Sequence, residues 1–69
     1  MACDEKARLV KLYEFATTGF AEAVTELRRK MGTVPKSEYE SLSRAADEAR
    51  LKSEAARLAV ERHEAEHGC

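Results

Sequence analysis

The segment LRRKMGTVPKSE, residues 27–38, separates two helical patterns in this chain of 69 residues. Its three consecutive cations at residues 28–30 suit the last turn of a helix, because they complement the exposed carbonyl groups there. Gly32 follows, and glycine readily takes the left-handed conformation that ends a helix. The segment therefore predicts a first helix at about residues 3–31 and a second helix at about residues 37–67.

Two signals mark the start of the second helix, and they disagree by about two residues. Pro35 suits the first turn of a helix, where its missing N–H has no consequence. Ser37, with Glu40 three residues later, is typical of a capping box that would begin the helix at the serine. The turn is accordingly expected at about residues 32–36. Gly68 is expected to end the second helix as the earlier glycine ends the first.

On either side of the break, apolar and small residues recur at alternating steps of three and four. A step averaging about 3.5 residues is typical of a helix that keeps one stripe against a neighbouring helix. We therefore predict an all-α, coiled-coil-like antiparallel two-helix hairpin that forms a single domain over residues 1–69. The stripe positions are Cys3, Lys6, Val10, Tyr13, Thr17, Phe20, Val24, Leu27 and Met31, followed by Tyr39, Leu42, Ala46, Ala49, Ser53, Ala56, Val60, His63 and His67.

Composition agrees with this fold class and restricts the function. Charged residues make up 36% of the chain, with three glycines, one proline and no tryptophan, which suits long solvated helices. The net charge of -1 gives no overall attraction to nucleic acid or anionic lipid. The first residues lack a secretory signal, and no stretch approaches the roughly 20 apolar residues of a membrane span. A cytoplasmic protein without membrane attachment is expected.

Apolar residues outside the stripes predict an interface. A domain of this size rarely obtains more than about 3–5 kcal/mol from its own core, so a partner is expected. We predict self-association into a homodimeric four-helix bundle; a different protein partner is the next alternative, and isolated surface leucines on a monomer are the remaining one. The predicted interface residues are Leu9, Leu12, Phe15, Leu51, Ala55 and Leu58.

The region around the turn predicts a basic tip, whereas the opposite end of the hairpin is acidic. The basic tip is formed by Arg28, Arg29, Lys30 and Lys36. Such cations contact phosphates in nonspecific nucleic-acid binding. No aromatic or amide side chain is interleaved with them for base recognition. A nucleic-acid-binding regulator that uses this tip is therefore a further alternative, ranked below self-association.

The sequence HEAEH at residues 63–67 matches H-E-x-x-H, in which two histidines on one helix face share a metal and the glutamate acts as a base. No third ligand follows and a hairpin offers no cleft for a peptide, so we predict no enzyme. The hairpin topology would instead bring Cys3 and Cys69 beside His63 and His67, which is a complete ligand set for structural zinc. A zinc-binding hairpin is the leading alternative function. A Cys3–Cys69 disulfide and two free thiols stay open as well.

Residues 26–69 resemble small uncharacterised bacterial helical-hairpin proteins. The resemblance rests on LRRKMGT at residues 27–33, EYE at residues 38–40 and EHGC at residues 66–69. It implies a helical hairpin and brings no assigned activity. In architecture alone, the hairpin is also similar to the plasmid RNA-binding regulator Rop, a dimeric four-helix bundle, with which the chain shares no motif.

Overall fold

The computed structural model describes residues 2–68, except for the side chains of residues 2 and 3, and folds them into two helices. Helix α1 spans Ala2–Lys30 and helix α2 spans Lys36–His67. The helices pack against each other along an elongated body whose Cα extents are 50 × 13 × 11 Å. The predicted all-α hairpin is confirmed, and no strand occurs within the described residues. Over the same residues, neither helix combines the length and apolar character that crossing a membrane requires.

Glycine ends both helices as the sequence predicts. Gly32 has a φ of 78°, in the left-handed region. The backbone N–H and the hydroxyl of Thr33 both donate to the carbonyl of Lys30, at 3.1 and 2.9 Å, which satisfies an acceptor that the helix itself leaves unpaired. At the end of α2, Gly68 has a φ of 69° and its N–H donates to the carbonyl of Glu64 at 2.8 Å. Both glycine predictions are confirmed.

The predicted capping box at Ser37 is wrong. Helix α2 begins at Lys36, and the N-cap residue is Pro35, with φ -60°, ψ 157° and no side-chain cap hydrogen bond. The carbonyl of Pro35 accepts a hydrogen bond from the N–H of Tyr39 at 3.0 Å, so helical bonding is established before Ser37. Pro35 is the N-cap, with an extended ψ, and not a residue of the first turn as predicted, so the helix begins between the two predicted positions. Ser37 then lies inside the first turn, where it cannot cap.

The predicted stripes form the contact between the helices. Ala46 is only 7% exposed, and the α2 residues Ala49, Ser53 and Ala56 are half-buried. Small residues on one helix opposite large ones on the other let the two axes approach closely. The large half-buried residues of the α1 stripe are Val10, Tyr13, Phe20, Val24 and Leu27.

Among the stripe positions whose side chains are described, three are exposed instead. Met31 is 56% exposed because α1 ends at Lys30 and Met31 belongs to the turn. His67 is exposed in the last turn of α2. Thr17 is exposed as well, although its hydroxyl still reaches across to Ser53.

Side-chain pairs between the helices fix their register at the open end, in the middle and beside the turn. In α1 order they are Lys6–Glu64 at 3.6 Å, Thr17–Ser53 at 3.4 Å and Lys30–Glu38 at 3.9 Å. Residue numbers rise along one helix as they fall along the other, as in an antiparallel pair. The surfaces described below follow from this alignment of α1 against α2.

Candidate functional site

A groove lies on one face of the hairpin, near the middle of both helices. We call this side of the molecule the groove face. The groove has a volume of about 290 Å³. Apart from one glutamate and one lysine, which are exposed, its lining consists of apolar residues and a glycine. The lining residues are Phe15, Ala16 and Gly19 of α1, with Ala45, Glu48, Ala49 and Lys52 of α2.

Phe15 stands beside this groove with its ring in solvent. It is 82% exposed, more than any other large apolar side chain among the described residues. Burying such a side chain is favourable by roughly 1.5–3 kcal/mol. The ring is therefore the part of the groove face that gains most from being covered.

Gly19 keeps the groove open. A glycine within a helix is about 1 kcal/mol less favourable than alanine. A Cβ built on Gly19 would meet no atom within 4 Å, so contacts within the hairpin do not require glycine here. What the missing side chain provides is space, directly beside Phe15.

The six predicted interface residues do not share one face. Leu12 precedes Phe15 by three residues and Gly19 by seven, so all three lie on the same side of α1, and Leu12 is 49% exposed. Leu51 lies two residues before the stripe residue Ser53, about 200° around the helix and thus on the side away from α1.

Leu58 is seven residues after Leu51 and shares that outer side of α2; the two leucines are 52% and 55% exposed. Ala55 is exposed, between the outer side and the groove face, and Leu9 is half-buried. The predicted interface residues thus lie on two surfaces: Leu12 and Phe15 are on the groove face, Leu9 lies between that face and the helix contact, seven residues before the groove residue Ala16, and the α2 leucines are on the outer side.

Carboxylates pair with part of the basic tip. The guanidinium of Arg29 donates to the carboxylate of Glu26 at 2.5 Å, and the ammonium of Lys30 lies 3.2 Å from the same group. These hydrogen bonds, that of Arg29 first, hold the pKa of Glu26 below its ordinary value. Lys30 also lies 3.9 Å from Glu38 of α2. Pairing of two of the four tip cations weakens the positive field that phosphate binding would use.

At the open end, two histidines lie together on the last turns of α2. The ring centroids of His63 and His67 are 4.5 Å apart, and their planes are tilted by 43°. His63 is 7% exposed, whereas His67 is exposed. Glu64, at the base position of the H-E-x-x-H pattern, lies 3.6 Å from Lys6 of α1. The glutamate is thus engaged in a contact between the helices.

No protein-family model matches the chain, and no curated protein or solved structure is significantly similar to it. The resemblance to small bacterial helical-hairpin proteins stays a prediction. The candidate sites are therefore judged by their own geometry.

Of the four predicted zinc ligands, the structure brings His63 and His67 together. The side chain of Cys3 and the whole of Cys69 lie outside the described residues, as does the predicted disulfide between them. Over the part of the chain that is described, no group of three or more His, Cys, Asp or Glu residues is arranged to hold a metal ion. The four-ligand zinc site stays a prediction.

Sequence reasoning missed the groove itself. Its small lining residues carry no distinctive chemistry, and Ala45 and Ala49 resemble the stripe alanines around them. One signal was present, because Gly19 interrupts a stretch that is otherwise well suited to a helix. Its spacing of four residues from Phe15 places both on one side of α1 and could have located the groove.

Proposed function

We propose that this chain is a non-catalytic helical-hairpin interaction or scaffolding module that self-associates as a homodimeric four-helix bundle through its groove face. The observation that carries this proposal is the pairing of an exposed ring, Phe15 at 82% exposure, with an adjacent groove of about 290 Å³. A dry cavity of about 150 Å³ accommodates benzene. The groove is therefore large enough to receive an aromatic ring from a second copy.

The large accessible surface area of the hairpin supports the proposal that a second copy covers part of it. Its accessible surface is 5222 Å², whereas a compact monomer of 7.7 kDa would expose about 4,300 Å². The excess of roughly 900 Å² is close to the ~800 Å² that each partner buries in a standard stable interface. Among the described residues only Ala46 and His63 are buried, so the hairpin has little core of its own.

The groove face is self-complementary. A two-fold dimer uses the same patch on both copies, so that patch must carry a protrusion and a recess together. Phe15 is the protrusion, and Gly19, Ala45 and Ala49 form part of the recess. Because the groove lies near the middle of both helices, a two-fold axis across it would place each ring over the groove of the other copy.

Charge favours the same arrangement. A two-fold axis perpendicular to the long axis of the hairpin puts the two turns at opposite ends of the bundle. Each basic tip then lies beside the acidic open end of the partner. Exposed ion pairs contribute about 0–1 kcal/mol each, so they select the orientation while packing supplies most of the affinity. The acidic open end carries Asp4, Glu5, Glu61, Glu64 and Glu66.

The test compares two charge substitutions by light scattering at low micromolar concentration. The unmutated chain should have twice its chain mass of 7.7 kDa. Phe15→Glu should give a monomer, because it removes the ring that would fill the groove and places a carboxylate, which is costly to bury, against the groove alanines. Leu51→Glu is the matched control, since Leu51 is 55% exposed on the outer side of α2, and it should remain dimeric.

Far-UV circular dichroism of both variants checks that the helices remain. A monomeric unmutated chain would refute self-association. Dissociation by Leu51→Glu and not by Phe15→Glu would refute the groove face and place the interface on the outer side of α2.

A further inference from the structure

The two imidazoles at the open end have the spacing of a metal chelate. Residues four apart on a helix lie on one face, with Cβ atoms about 5–6 Å apart. The ring centroids of His63 and His67 are 4.5 Å apart with a tilt of 43°, so the rings lie side by side without stacking flat. Two imidazole nitrogens at about 2.0–2.1 Å from a common ion fit this separation after small side-chain rotations. We infer that His63 and His67 form a two-histidine chelate for a divalent transition-metal ion.

Burial makes one ligand an anchor and leaves the other accessible. His63 is 7% exposed on the stripe between the helices, so packing restricts its ring. His67 is exposed and can rotate to complete the chelate around an ion that arrives from solvent. A partly preorganised pair loses less side-chain freedom on binding than two mobile histidines would.

The electrostatics of the open end favour a cation. Both histidines lie in the last turns of α2, where the helix dipole and the exposed carbonyl groups attract positive charge.

Ligand type selects the metal. Imidazole suits zinc, nickel and copper ions, whereas magnesium and calcium prefer oxygen ligands. Among the described residues no group of three or more His, Cys, Asp or Glu is arranged around a metal ion, so the inference concerns the two imidazoles alone. Affinity should follow the general order for divalent ions, with Cu²⁺ above Ni²⁺. This inference does not depend on self-association, because both ligands come from one helix.

The experiment titrates the full chain with Ni²⁺, and separately with Mg²⁺, by isothermal calorimetry under reducing conditions. We expect one Ni²⁺ per chain and no heat of binding for Mg²⁺. Binding to the folded state alone should also raise Tm at fixed protein concentration, by on the order of 10–20 °C at a hundredfold excess over Kd. His67→Ala should abolish both effects, and because His67 is exposed the variant should fold. An unmutated chain that binds no Ni²⁺ overturns the inference.

Two further variants make the assignment specific. Ala65→His combined with His67→Ala keeps two histidines but spaces them two residues apart, on opposite sides of the helix, and should bind no better than His67→Ala. Cys3→Ser combined with Cys69→Ser should leave Ni²⁺ binding unchanged. If the serine variant loses binding, or if the relocated histidine restores it, the chelate of His63 and His67 is wrong.

Discussion

The hydroxyl oxygens of Thr17 and Ser53 lie 3.4 Å apart across the helix pair, although the two residues are 36 positions apart in the sequence. The hydroxyl of Thr17 already donates its one proton to the carbonyl of Tyr13 at 2.7 Å, so Ser53 is the donor between them. Two short side chains can meet in this way only if the helix axes are close. The contact thus marks the register and depends on small residues along the α2 stripe.

Enlarging a stripe alanine should separate the helices. Ala46 is 7% exposed, and Ala46→Leu should destabilise the fold by about 1–3 kcal/mol through overpacking. Ala21→Leu is the matched control, because Ala21 is exposed on α1 and its replacement should leave stability nearly unchanged. Urea unfolding measures both. Equal effects at the two positions would contradict close packing along the stripe.

The turn should require glycine at position 32 because of the left-handed backbone conformation there. Gly32 has a φ of 78° and an added Cβ would meet no atom within 4 Å, so only the left-handed conformation penalises a side chain. Gly32→Ala should therefore lower the free energy of unfolding by about 1–2 kcal/mol. Gly32→Asn should lower it less, because asparagine tolerates this conformation. Thermal unfolding of both variants checks the order, and an alanine variant as stable as the unmutated chain would contradict it.

Stability should fall on acidification below pH 4.5. Hydrogen bonds from Arg8 and Arg29 lower the folded-state pKa values of Glu5 and Glu26 from an ordinary value of 4.5. A lowered carboxyl pKa means that stabilisation is complete above the unfolded value and is lost as pH falls through the folded one. Tm should therefore decrease from pH 5 towards pH 3, and less steeply in added salt, because both pairs are exposed.

Removing those carboxylates should flatten the pH profile. The double variant Glu5→Gln, Glu26→Gln should show a smaller loss of Tm over the same pH range. Glu22→Gln, which removes an exposed carboxylate elsewhere on α1, is the control and should keep the original slope. A double variant with an unchanged slope would show that these two hydrogen-bonded pairs do not contribute.

Gly19 offers a test that separates helix stability from the groove. Gly19→Ala should stabilise the helix by up to about 1 kcal/mol, because alanine is the better helix former. Gly19→Leu should fill the groove and reduce self-association, while the circular dichroism of the helices stays the same. If Gly19→Leu leaves the mass of the unmutated chain unchanged, the groove is not the contact surface.

The hairpin could be predicted from the sequence for two reasons. Apolar residues at alternating steps of three and four indicate a helix that packs along one stripe, and a glycine after each such pattern indicates where the helix ends. The start of α2 was harder to predict, since Pro35 and Ser37 are both common near helix starts, and only the backbone shows that the helix begins at Lys36 with Pro35 as its N-cap. Whether Leu51 and Leu58 share an interface with Leu12 and Phe15 stays a prediction. Periodicity shows which residues share one side of a helix. It does not show which sides of α1 and α2 face each other, because that depends on tertiary packing, in which Ala46 and His63 are buried.

Self-association through the groove face is tested most directly by the mass of the unmutated chain in solution. Sedimentation equilibrium at low micromolar concentration, under reducing conditions and with a chelator present, excludes disulfides and metal ions as the link between copies. We expect twice the 7.7 kDa chain mass, with dissociation only on further dilution. A mass of one chain throughout that concentration range would contradict self-association and leave Phe15 as an exposed ring on a monomer.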